Sequence, residues 1–464
     1  GRVAEECYGE IHRFWRERGL IHVGENTGRQ QYLYDSVRYH RFSDIPMGEF
    51  WAPSNLRPDN KQAASAAHIT GRRRVASESF TSRATLERHP ATLKPLADRA
   101  FCTGVNFFIF HTYAHQPWDV GPGMTMGPWG HHLNRNNTWF EDGRAWLDYV
   151  RRCQFLLQQG RPVSDILVFT GESVPNFLGF RDDQPSPVPP GYDYDGCDWE
   201  ALADAHVENG ELVLSSGTRY RLLMLPDAEH MRTRVAERLR DLVHAGATIL
   251  GPRPAGSPSW AEHGTGDVRV RTIASELWGA QEEDTVDRRV GNGRVFAGFS
   301  LETVLEKLGL APDFDAPPRV GYIHRRTADS EVYFVANHDG ISRVADCVFR
   351  VSQQQPEVWN PETGKRRRPA VYNAVSGRMR VPLALGPHES VFVVFRDPLP
   401  SQRIVSVSRD GEELLSAAGL PERDASARSR GMPEATFTIH GWARPHTETT
   451  LPRPQPTGIF MKDS

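Results

Sequence analysis

Cysteine is scarce in this sequence, the charges nearly balance, and long apolar runs are missing. The 464 residues include five cysteines and carry a net charge of −3. Cysteines that are few, odd in number and widely spaced predict neither a disulfide framework nor a zinc site. The near-neutral charge disfavours a nucleic-acid partner, because such proteins usually carry a basic surface. No run approaches the roughly 18 apolar residues of a membrane span, and no signal peptide is visible.

What is present is an ordinary globular composition in which strands and helices alternate. Apolar residues make up 39% of the chain and charged residues 24%, and a globular chain of this length is expected to have about two to four domains. Four short β-like runs, separated by helix-like segments, occupy the first 117 residues. They are 20–24, 44–51, 74–80 and 104–111. This alternation predicts parallel βα units.

The four runs end in polar or aromatic residues, which is typical of strands that carry an active site. In a (β/α)₈ barrel the active site lies at the C-terminal ends of the strands. Four βα units are half of such a barrel, so we expect the other four to lie upstream of Gly1. The helical pattern that already runs through residues 3–16, with no Met before it, agrees with this expectation.

A second α/β unit is predicted after a long loop rich in Gly and Trp at 117–139 and a helix at 143–159. Buried-type strands at 165–170, 220–226 and 247–250 alternate with a helix. This pattern predicts a small doubly wound α/β domain over residues 161–317. The domain contains no G-x-G-x-x-G motif, so no nucleotide is predicted.

From about residue 320 the pattern becomes all-β and predicts a β-sandwich over residues 318–399. The periodicity weakens afterwards, and residues 400–464 are predicted to be a tail or part of a further β domain. The predicted fold class is therefore α/β plus β. It comprises the C-terminal half of a (β/α)₈ barrel over residues 1–160, then the doubly wound domain, then the sandwich.

Three glutamates, Glu25, Glu49 and Glu78, stand at predicted strand ends. Glycoside hydrolysis uses two carboxyl groups, one that protonates the leaving oxygen and one that activates water or attacks carbon. Strand ends of a barrel hold such groups rigidly across a pocket. A single Glu after a strand is more often a surface or cap residue, but three in succession indicate a carboxylate-lined site.

Two histidines, His111 and His115, lie in the phrase H-T-Y-A-H-Q-P-W at the end of the fourth run. Their spacing is that of a metal-binding pair on a helix, but Pro117 and the preceding strand argue against a helix here. We expect both histidines to contact sugar hydroxyls. The alternative is that they are polar residues that line a loop.

Three tryptophans lie in the loop that follows: Trp118, Trp129 and Trp139. A loop packed on its own aromatic side chains, which is a common arrangement, is the favoured interpretation. The alternative is a stacking surface for a sugar, with Arg135 on its polar rim.

An acidic cluster is found further along in G-Y-D-Y-D-G-C-D, where Asp193, Asp195 and Asp198 alternate with other residues. Carboxylates at such spacing can bind Ca²⁺, but the length and the closing Glu of an EF-hand are missing. An ordinary solvated loop is the favoured interpretation.

Five phrases occur in an order that resembles a known family. They are D-I-P-M-G-E-F-W (44–51), V-A-S-E-S-F-T-S (75–82), G-V-N-F-F-I-F-H-T-Y-A-H-Q-P-W (104–118), P-G-M-T-M-G-P-W-G (122–130) and N-R-N-N-T-W (134–139). Together they closely resemble the family 106 glycoside hydrolases, which are α-L-rhamnosidases. The similarity covers about residues 13–396 and is densest over 40–160.

The resemblance implies a (β/α)₈ catalytic domain followed by accessory domains. It implies hydrolysis of terminal α-L-rhamnose with inversion, and a dependence on calcium whose ligands the sequence does not identify. The expected partner is a rhamnose-containing glycoside or polysaccharide. The expected location is secreted or periplasmic, with a cytoplasmic location as the alternative.

Site residues follow from the resemblance when strands are counted back from His111 on the eighth strand. Glu78 then lies on the seventh strand, where the resemblance implies the base carboxylate. The acid would lie on the fourth strand, upstream of the first residue, and Glu49 and Glu25 would bind sugar or metal. In the alternative, Glu49 is itself the acid.

The remaining site residues are expected to bind substrate. His115, Trp118 and Arg135 would shape the sugar subsite together with His111, and Asp195 resembles an acidic position after the barrel that reaches the site. Two other functions stay open. One is another glycosidase of similar domain order, such as a β-galactosidase. The other is a carbohydrate-binding remnant without hydrolysis, because half a barrel leaves an open edge.

Overall fold

The computed structural model describes most of the chain in a few continuous stretches. These are residues 3–26, 35–53, 55–83, 87–281, 283–409 and 412–416, with three short strands at 437–440, 449–450 and 460–463. A curled parallel sheet, a second parallel sheet and several antiparallel sheets confirm the predicted mixture of α/β and β structure. The five cysteines all lie in described residues and are free. No helix within the described stretches is both long and apolar enough to cross a bilayer.

The first sheet is parallel and has helices on its outer face. Its strands are β1 (Val23–Glu25), β2 (Ile45–Trp51), β3 (Asn55–Leu56), β4 (Ala76–Thr81) and β5 (Phe107–Tyr113). Its helices are α1 (Glu10–Arg16), which follows a π-helical turn, α2 (Ser36–His40), α3 (Asp59–Ile69), α4 (Pro90–Cys102) and α5 (Arg144–Leu157). The parallel order is β1-β2-β4-β5, and β3 pairs antiparallel with β2. β1 begins and ends later than the predicted run of 20–24, so Glu25 is the last residue of the strand and not the residue after it.

Alternation of side chains gives this sheet two apolar faces. The outer face carries four phenylalanines that are fully buried among residues of α3, α4 and α5. They are Phe50, Phe80, Phe108 and Phe110. The inner face carries a separate cluster of Ile45, Met47, Ala76, Phe107 and Ile109. The inner cluster lies toward the starts of the strands, so the inner face is apolar there and becomes polar toward the strand ends.

The second sheet belongs to an α/β unit that begins after α5. The short strand β6 (Arg161–Pro162) comes first but belongs to an antiparallel sheet described below. The strands of the second sheet and of a small three-stranded sheet are β7 (Ile166–Phe169), β8 (Tyr194–Cys197), β9 (His206–Glu208), β10 (Glu211–Val213), β11 (Arg219–Tyr220), β12 (Leu222–Met224), β13 (Thr248–Leu250), β14 (Val286–Val290) and β15 (Gly293–Ala297). Its helices are α6 (Trp199–Asp204), α7 (Thr233–Ala245), α8 (Thr265–Trp278) and α9 (Leu301–Lys307). The order is β14-β15-β13-β12-β7-β8, with only the β14–β15 pair antiparallel.

Antiparallel strands make up the rest of the described chain. They are β16 (Phe314–Asp315), β17 (Val320–Arg326), β18 (Glu331–Asn337), β19 (Arg343–Phe349), β20 (Gln354–Trp359), β21 (Lys365–Arg367), β22 (Asn373–Val375), β23 (Arg378–Leu385), β24 (Ser390–Pro398), β25 (Ser406–Arg409), β26 (Glu412–Ser416), β27 (Phe437–His440) and β28 (Thr449–Thr450). The sheets β28-β21-β20-β24-β18-β17-β6 and β16-β19-β23-β22 enclose one apolar core. The last strand, β29 (Phe460–Asp463), pairs in parallel with β5 of the first sheet.

Helix α3 lies between the first sheet and the α/β unit, and all of its 11 residues are buried. Alanines on one side pack with the outer phenylalanines of the first sheet, whereas Ala66 and Ile69 belong to the core of the α/β unit. Small residues allow this close approach on both sides. The first sheet is therefore held against the α/β unit by a helix that belongs to both cores.

A buried ionic cluster joins the α/β unit to the sandwich. Arg350 donates to Asp165 at 2.8 and 3.0 Å and to Asp313 at 3.2 Å. Asp313 also contacts the ring of His324 at 2.9 Å, and His324 contacts Glu331 at 2.7 Å. Asp165 and Asp313 are almost fully buried, and Arg350 is the one side chain that donates to both of them, so their charges depend strongly on its guanidinium.

We expect Arg350→Ala to lower the free energy of unfolding by about 3–5 kcal/mol, since it leaves buried carboxylates without their cation. Urea unfolding followed by circular dichroism measures this change. Arg219→Ala is the matched control, because Arg219 pairs with Glu208 on the exposed surface and such pairs contribute little. An unfolding midpoint equal in the two variants would contradict the role of the cluster.

Candidate active site

The polar end of the inner face of the first sheet brings three predicted residues together. Glu49 of β2 and Glu78 of β4 are register partners on adjacent parallel strands, so their Cα atoms are about 4.8 Å apart and their side chains share a face. Glu78 is in turn level with Ile109 of β5, and His111 follows two residues later on the same face. All three polar side chains are buried, at 6–7% residue exposure.

Glu78 is oriented by neighbours on its own strand and on β5. The hydroxyl of Thr81 donates to Glu78 Oε1 at 2.9 Å, and His111 Nε2 lies 3.9 Å from the same oxygen. The carboxylate thus stands between a hydroxyl donor and an imidazole. This is an arrangement that can hold a carboxylate in place for proton transfer.

Glu49 is held by two donors, one at the end of its own strand and one just after β3. Arg57 Nη1 donates to Glu49 Oε2 at 3.3 Å, and Trp51 Nε1 donates to Glu49 Oε1. The guanidinium of Arg57 also lies 5.6 Å from the centroid of the Trp51 ring. The two adjacent glutamates therefore stand in different surroundings, one beside a guanidinium and one beside an imidazole.

A β-bulge at the end of β4 keeps the ring of Phe80 away from Glu78. Regular alternation from Glu78 would point residue 80 to the inner face, above the carboxylate. The pairing of β2 with β4 instead shifts register there, and Phe80 takes a positive φ of 67°. Its ring turns to the outer core and packs edge-on against Phe50 at 4.9 Å. Bulges commonly redirect a side chain next to an active site in this way.

The loop of residues 117–139, here named the Trp loop, closes over the ends of β4 and β5. The Gly130 amide donates to the Ser82 carbonyl at 2.8 Å and the His131 amide donates to the His111 carbonyl at 2.6 Å. The ring of Trp129 meets that of Trp51 edge-to-face at 5.5 Å. The loop is therefore attached to the same strand ends that carry the two glutamates.

Two buried histidines form the inner layer of the Trp loop. His131 stacks on Trp139 at 5.4 Å, and His131 and His132 are at most 2% exposed. Burial, together with the nearby His132 and Arg88, lowers the pKa of His131 to about 4. Burial, with the nearby His111, also lowers the pKa of His132. The layer is thus built from neutral imidazoles.

The other predicted residues lie at the rim of this site or below it. Glu25 pairs in register with Met47, so it lies on the inner face one layer nearer to the strand starts than Glu49. His115 and Trp118 are exposed, Trp118 to 64%. Arg135 donates to Asp119 at 3.0 Å and to the carbonyl of Trp118 at 3.1 Å. Arg135 braces the Trp loop in this structure.

The structure does not bring Asp195 into this group, which corrects its predicted contact with substrate. Asp195 is completely buried on β8, where His68 Nδ1 lies 2.9 Å from its carboxylate and Tyr220 donates at 3.0 Å. Burial alone would raise its pKa, but His68 and Lys61 hold the pKa of Asp195 at about 2. The carboxylate faces α3 and has a structural role.

The rest of the acidic cluster is also bound by the protein. Asp193 accepts from Lys61 at 2.8 Å, and Asp198 accepts from Arg41 at 3.0 Å and from the Ala201 amide. The favoured solvated-loop interpretation is therefore wrong for Asp195 and Asp198, which are fully buried. Within the described stretches, no three His, Cys, Asp or Glu side chains converge so that they could hold a metal ion. The calcium that the resemblance implies stays a prediction, because calcium also binds backbone and amide oxygens.

Sequence reasoning missed the side chains that orient the glutamates, namely Trp51, Arg57 and Thr81. A signal was present for two of them. Trp51 follows Glu49 by two residues on the same strand, and Thr81 closely follows Glu78. Arg57 acts after a reversal of the chain, for which the spacing gave no signal.

Helix α3 reaches this site through the residues that precede the two glutamates. The Ser77 hydroxyl donates to Asn60 Oδ1 at 2.8 Å. A Cβ atom on Gly48 would stand 2.6 Å from that same oxygen and 2.8 Å from the Asn60 backbone nitrogen. Asn60 therefore fixes the spacing between α3 and both strands, one residue before Glu49 and Glu78.

Comparison with known proteins points to one family. Residues 1–374 match the profile of the glycoside hydrolase 106 family, described as alpha-L-rhamnosidase. A curated protein of Formosa agariphila that carries the name "Putative beta-glucuronidase" is 39% identical over 389 residues, which are 83% of this chain and 31% of that protein. The chain thus spans about a third of the length of this relative.

Solved structures show the same relationship in three dimensions. The rhamnosidase from Novosphingobium sp. PP1Y superposes with a TM-score of 0.78 at 33% identity, over 88% of this chain and 41% of that chain. A beta-galactosidase from Bacillus circulans sp. alkalophilus superposes with a TM-score of 0.54 at 12% identity, over 85% of this chain and 67% of that chain. The second match shows a shared fold alone.

We expect Gly48→Ala to destabilise the protein by about 1–3 kcal/mol, because the added methyl would overlap the backbone of α3. The shift in the urea unfolding midpoint measures it. Gly377→Ala is the control. Gly377 has a positive φ of 75° but, unlike Gly48, open space around it, so this variant tests backbone strain without steric overlap. A smaller loss in Gly48→Ala than in the control would show that α3 moves aside freely.

The Trp loop should loosen in acid. The folded protein resists protonation of His131 down to about pH 4, whereas the unfolded imidazole takes its proton near pH 6.5. The stabilisation is therefore complete above about pH 6.5 and is lost as the pH falls toward 4. Hydrogen–deuterium exchange of loop peptides, corrected for intrinsic rates, should rise from pH 7.5 to pH 5. His131→Phe keeps the stack on Trp139 and should flatten this rise; equal slopes in both proteins would refute the assignment.

Proposed function

The chain belongs to the glycoside hydrolase 106 family of alpha-L-rhamnosidases, and from this premise we propose that it removes terminal α-L-rhamnose from a glycoside. The observation that carries the proposal is the pair Glu49 and Glu78, in register at the polar end of the inner face. The proposal extends to the layout of the chain. Residues 1–160 would form half of a (β/α)₈ barrel, residues 161–317 a doubly wound domain and residues 318–399 a sandwich.

In the proposed mechanism Glu78 is the general base of an inverting hydrolysis. Inversion requires a water molecule between the base and the anomeric carbon. The bulge turns Phe80 outward, so its ring does not cover Glu78 on the inner face, where such a water would bind. Thr81 holds one carboxylate oxygen, so the orientation of Glu78 is fixed before water binds.

Glu49 is proposed to bind a sugar hydroxyl beside the base. The acid and the base of an inverting enzyme flank the scissile bond, with carboxyl groups roughly 6.5–9.5 Å apart. Glu49 and Glu78 start from Cα atoms about 4.8 Å apart on the same wall, so this pair does not flank a sugar. The general acid would then come from the opposite wall. The alternative, with Glu49 as the acid, predicts a different kinetic effect and is tested below.

A second candidate activity is cleavage of β-D-glucuronides. It rests on the name of the Formosa agariphila relative, which is 39% identical to this chain. A glucuronide carries a carboxylate, so its recognition calls for a cation near the base. Arg57 is a guanidinium at this site, but it already pairs with Glu49. Rhamnose, which is neutral, is the better match to a site lined by carboxylates.

Glu78→Gln should reduce turnover of an aryl α-L-rhamnoside by about 10²–10⁴-fold, the usual contribution of a general base. Glu49→Gln should raise KM more than it lowers kcat, because it removes a binding group. Steady-state kinetics separates the two effects, and circular dichroism verifies the fold. Near-normal rates in Glu78→Gln would remove the base assignment. A loss in kcat alone for Glu49→Gln would favour its role as the acid.

A panel of aryl α-L-rhamnoside, β-D-glucuronide and β-D-galactoside tests the substrate. We expect release only from the rhamnoside, and proton NMR should show the inverted anomer first. Glu357→Gln serves as control, because Glu357 lies in the sandwich and pairs with Arg396 there. Preferential release from the glucuronide would replace the proposed activity with the second candidate.

A further inference from the structure

A cleft of about 500 Å³ opens at the carboxyl ends of the parallel strands of the α/β unit, far along the chain from the candidate active site. The chain enters this sheet at β7, places β8 on one side of it and then β12 on the other side. The loops that leave β7 and β12 therefore diverge. Such a reversal of strand order is the place where open α/β sheets bind their ligands.

The chemistry of the cleft argues against an anionic ligand. Helix α7 begins beside it, and the N-terminus of a helix is the usual site for a phosphate in such sheets. Here that position is filled by Glu172 of the protein itself. The Arg232 amide donates to Glu172 Oε2 at 3.1 Å, and Arg234 Nη2 lies 3.1 Å from Glu172 Oε1. The carboxylate of Glu172 thus neutralises the positive N-terminus of α7 and the guanidinium of Arg234.

The remaining lining combines an apolar floor with hydroxyl groups, and Glu229, His230 and Arg232, which carry both signs of charge, stand at its edge. Phe169, Leu225 and Met231 are buried beneath the cleft, and Thr170 and Ser173 bring hydroxyls to one wall. An apolar surface next to convergent polar groups is typical of a small-molecule site. It matches a pyranose ring, which presents C–H groups on one face and hydroxyls around its edge.

One wall of the cleft is attached to the first sheet. Asn176, in the loop after β7, donates to the Gly171 carbonyl at 2.8 Å, and its own carbonyl accepts from the Ser36 amide at 3.3 Å. Ser36 starts α2, so the loop is held between two structural units. The cleft is therefore formed before any ligand binds, which reduces the entropic cost of binding.

We propose that this cleft is a second carbohydrate site that binds a neutral sugar unit without cleaving it. The proposal is independent of the chemistry assigned to Glu49 and Glu78. It predicts that the chain holds a sugar at two places, one at the strand ends of the first sheet and one at those of the second sheet.

Isothermal titration calorimetry with methyl α-L-rhamnopyranoside, methyl β-D-galactopyranoside and inorganic phosphate tests the proposal. Ala228 lines the cleft and is exposed, so Ala228→Trp fills the cleft without removing a hydrogen-bonding side chain. Ala280→Trp, on the same unit outside the cleft, is the matched control. We expect at least one glycoside to bind at least tenfold more weakly to Ala228→Trp than to wild type. The control and Glu78→Gln should retain that binding, and phosphate should not bind.

A second variant that fills the cleft distinguishes loss of the sugar site from a folding defect of Ala228→Trp. Ser173→Trp fills the cleft from the opposite wall, and both variants should unfold at the wild-type temperature. The proposal is overturned if neither glycoside binds the wild type, if both filled variants bind like the control, or if only phosphate binds. Binding that Glu78→Gln abolishes and the filled variants retain would place the sugar at the active site alone. Loss of turnover in Glu78→Gln leaves this result unaffected, so the two proposals fail separately.

Discussion

A cationic side chain on a helix with no exposed residue requires an internal partner, and Asp195 provides one for α3, together with Asp193. Lys61, Ser65 and His68 all face its carboxylate across the boundary between the first sheet and the α/β unit. Replacing such a group with an apolar one would leave buried cations behind, which is far more costly than losing a surface pair. Asn60, on the same helix, in turn contacts the two strands that carry Glu49 and Glu78.

Local patterns in the sequence were sufficient for the strands, because period-two alternation and terminal polar residues are encoded within a few positions. Glu49, Glu78 and His111 were predicted to share a rim, and they do lie on one face. Asp195 was misassigned because its partners Lys61 and His68 are more than 120 residues away in the sequence. Spacing within G-Y-D-Y-D-G-C-D cannot reveal that a helix from another unit covers it. The bulge at Phe80 was equally invisible, since it arises from pairing between strands.

The Trp loop shows how residues of one type can take different roles within a single segment. Trp139 is covered by His131, Trp129 packs on Trp51, and Trp118 is largely exposed. The self-packed loop is thus realised for Trp129 and Trp139, and a stacking surface for a sugar stays a prediction. The side chains that pack inward fix the backbone over the strand ends, and those that remain outside are available for contact with a ligand.

The outward turn of Phe80 affects how the inner face of the first sheet can change in evolution. The interior of a barrel is normally filled by layers of side chains, and a pocket is usually made by choosing smaller ones. Here a backbone irregularity keeps residue 80 from covering Glu78, so the size of that residue does not decide how exposed the carboxylate is to the inner face. Changes in substrate range would then arise at the roof, through Trp129 and its loop, while the floor keeps its shape.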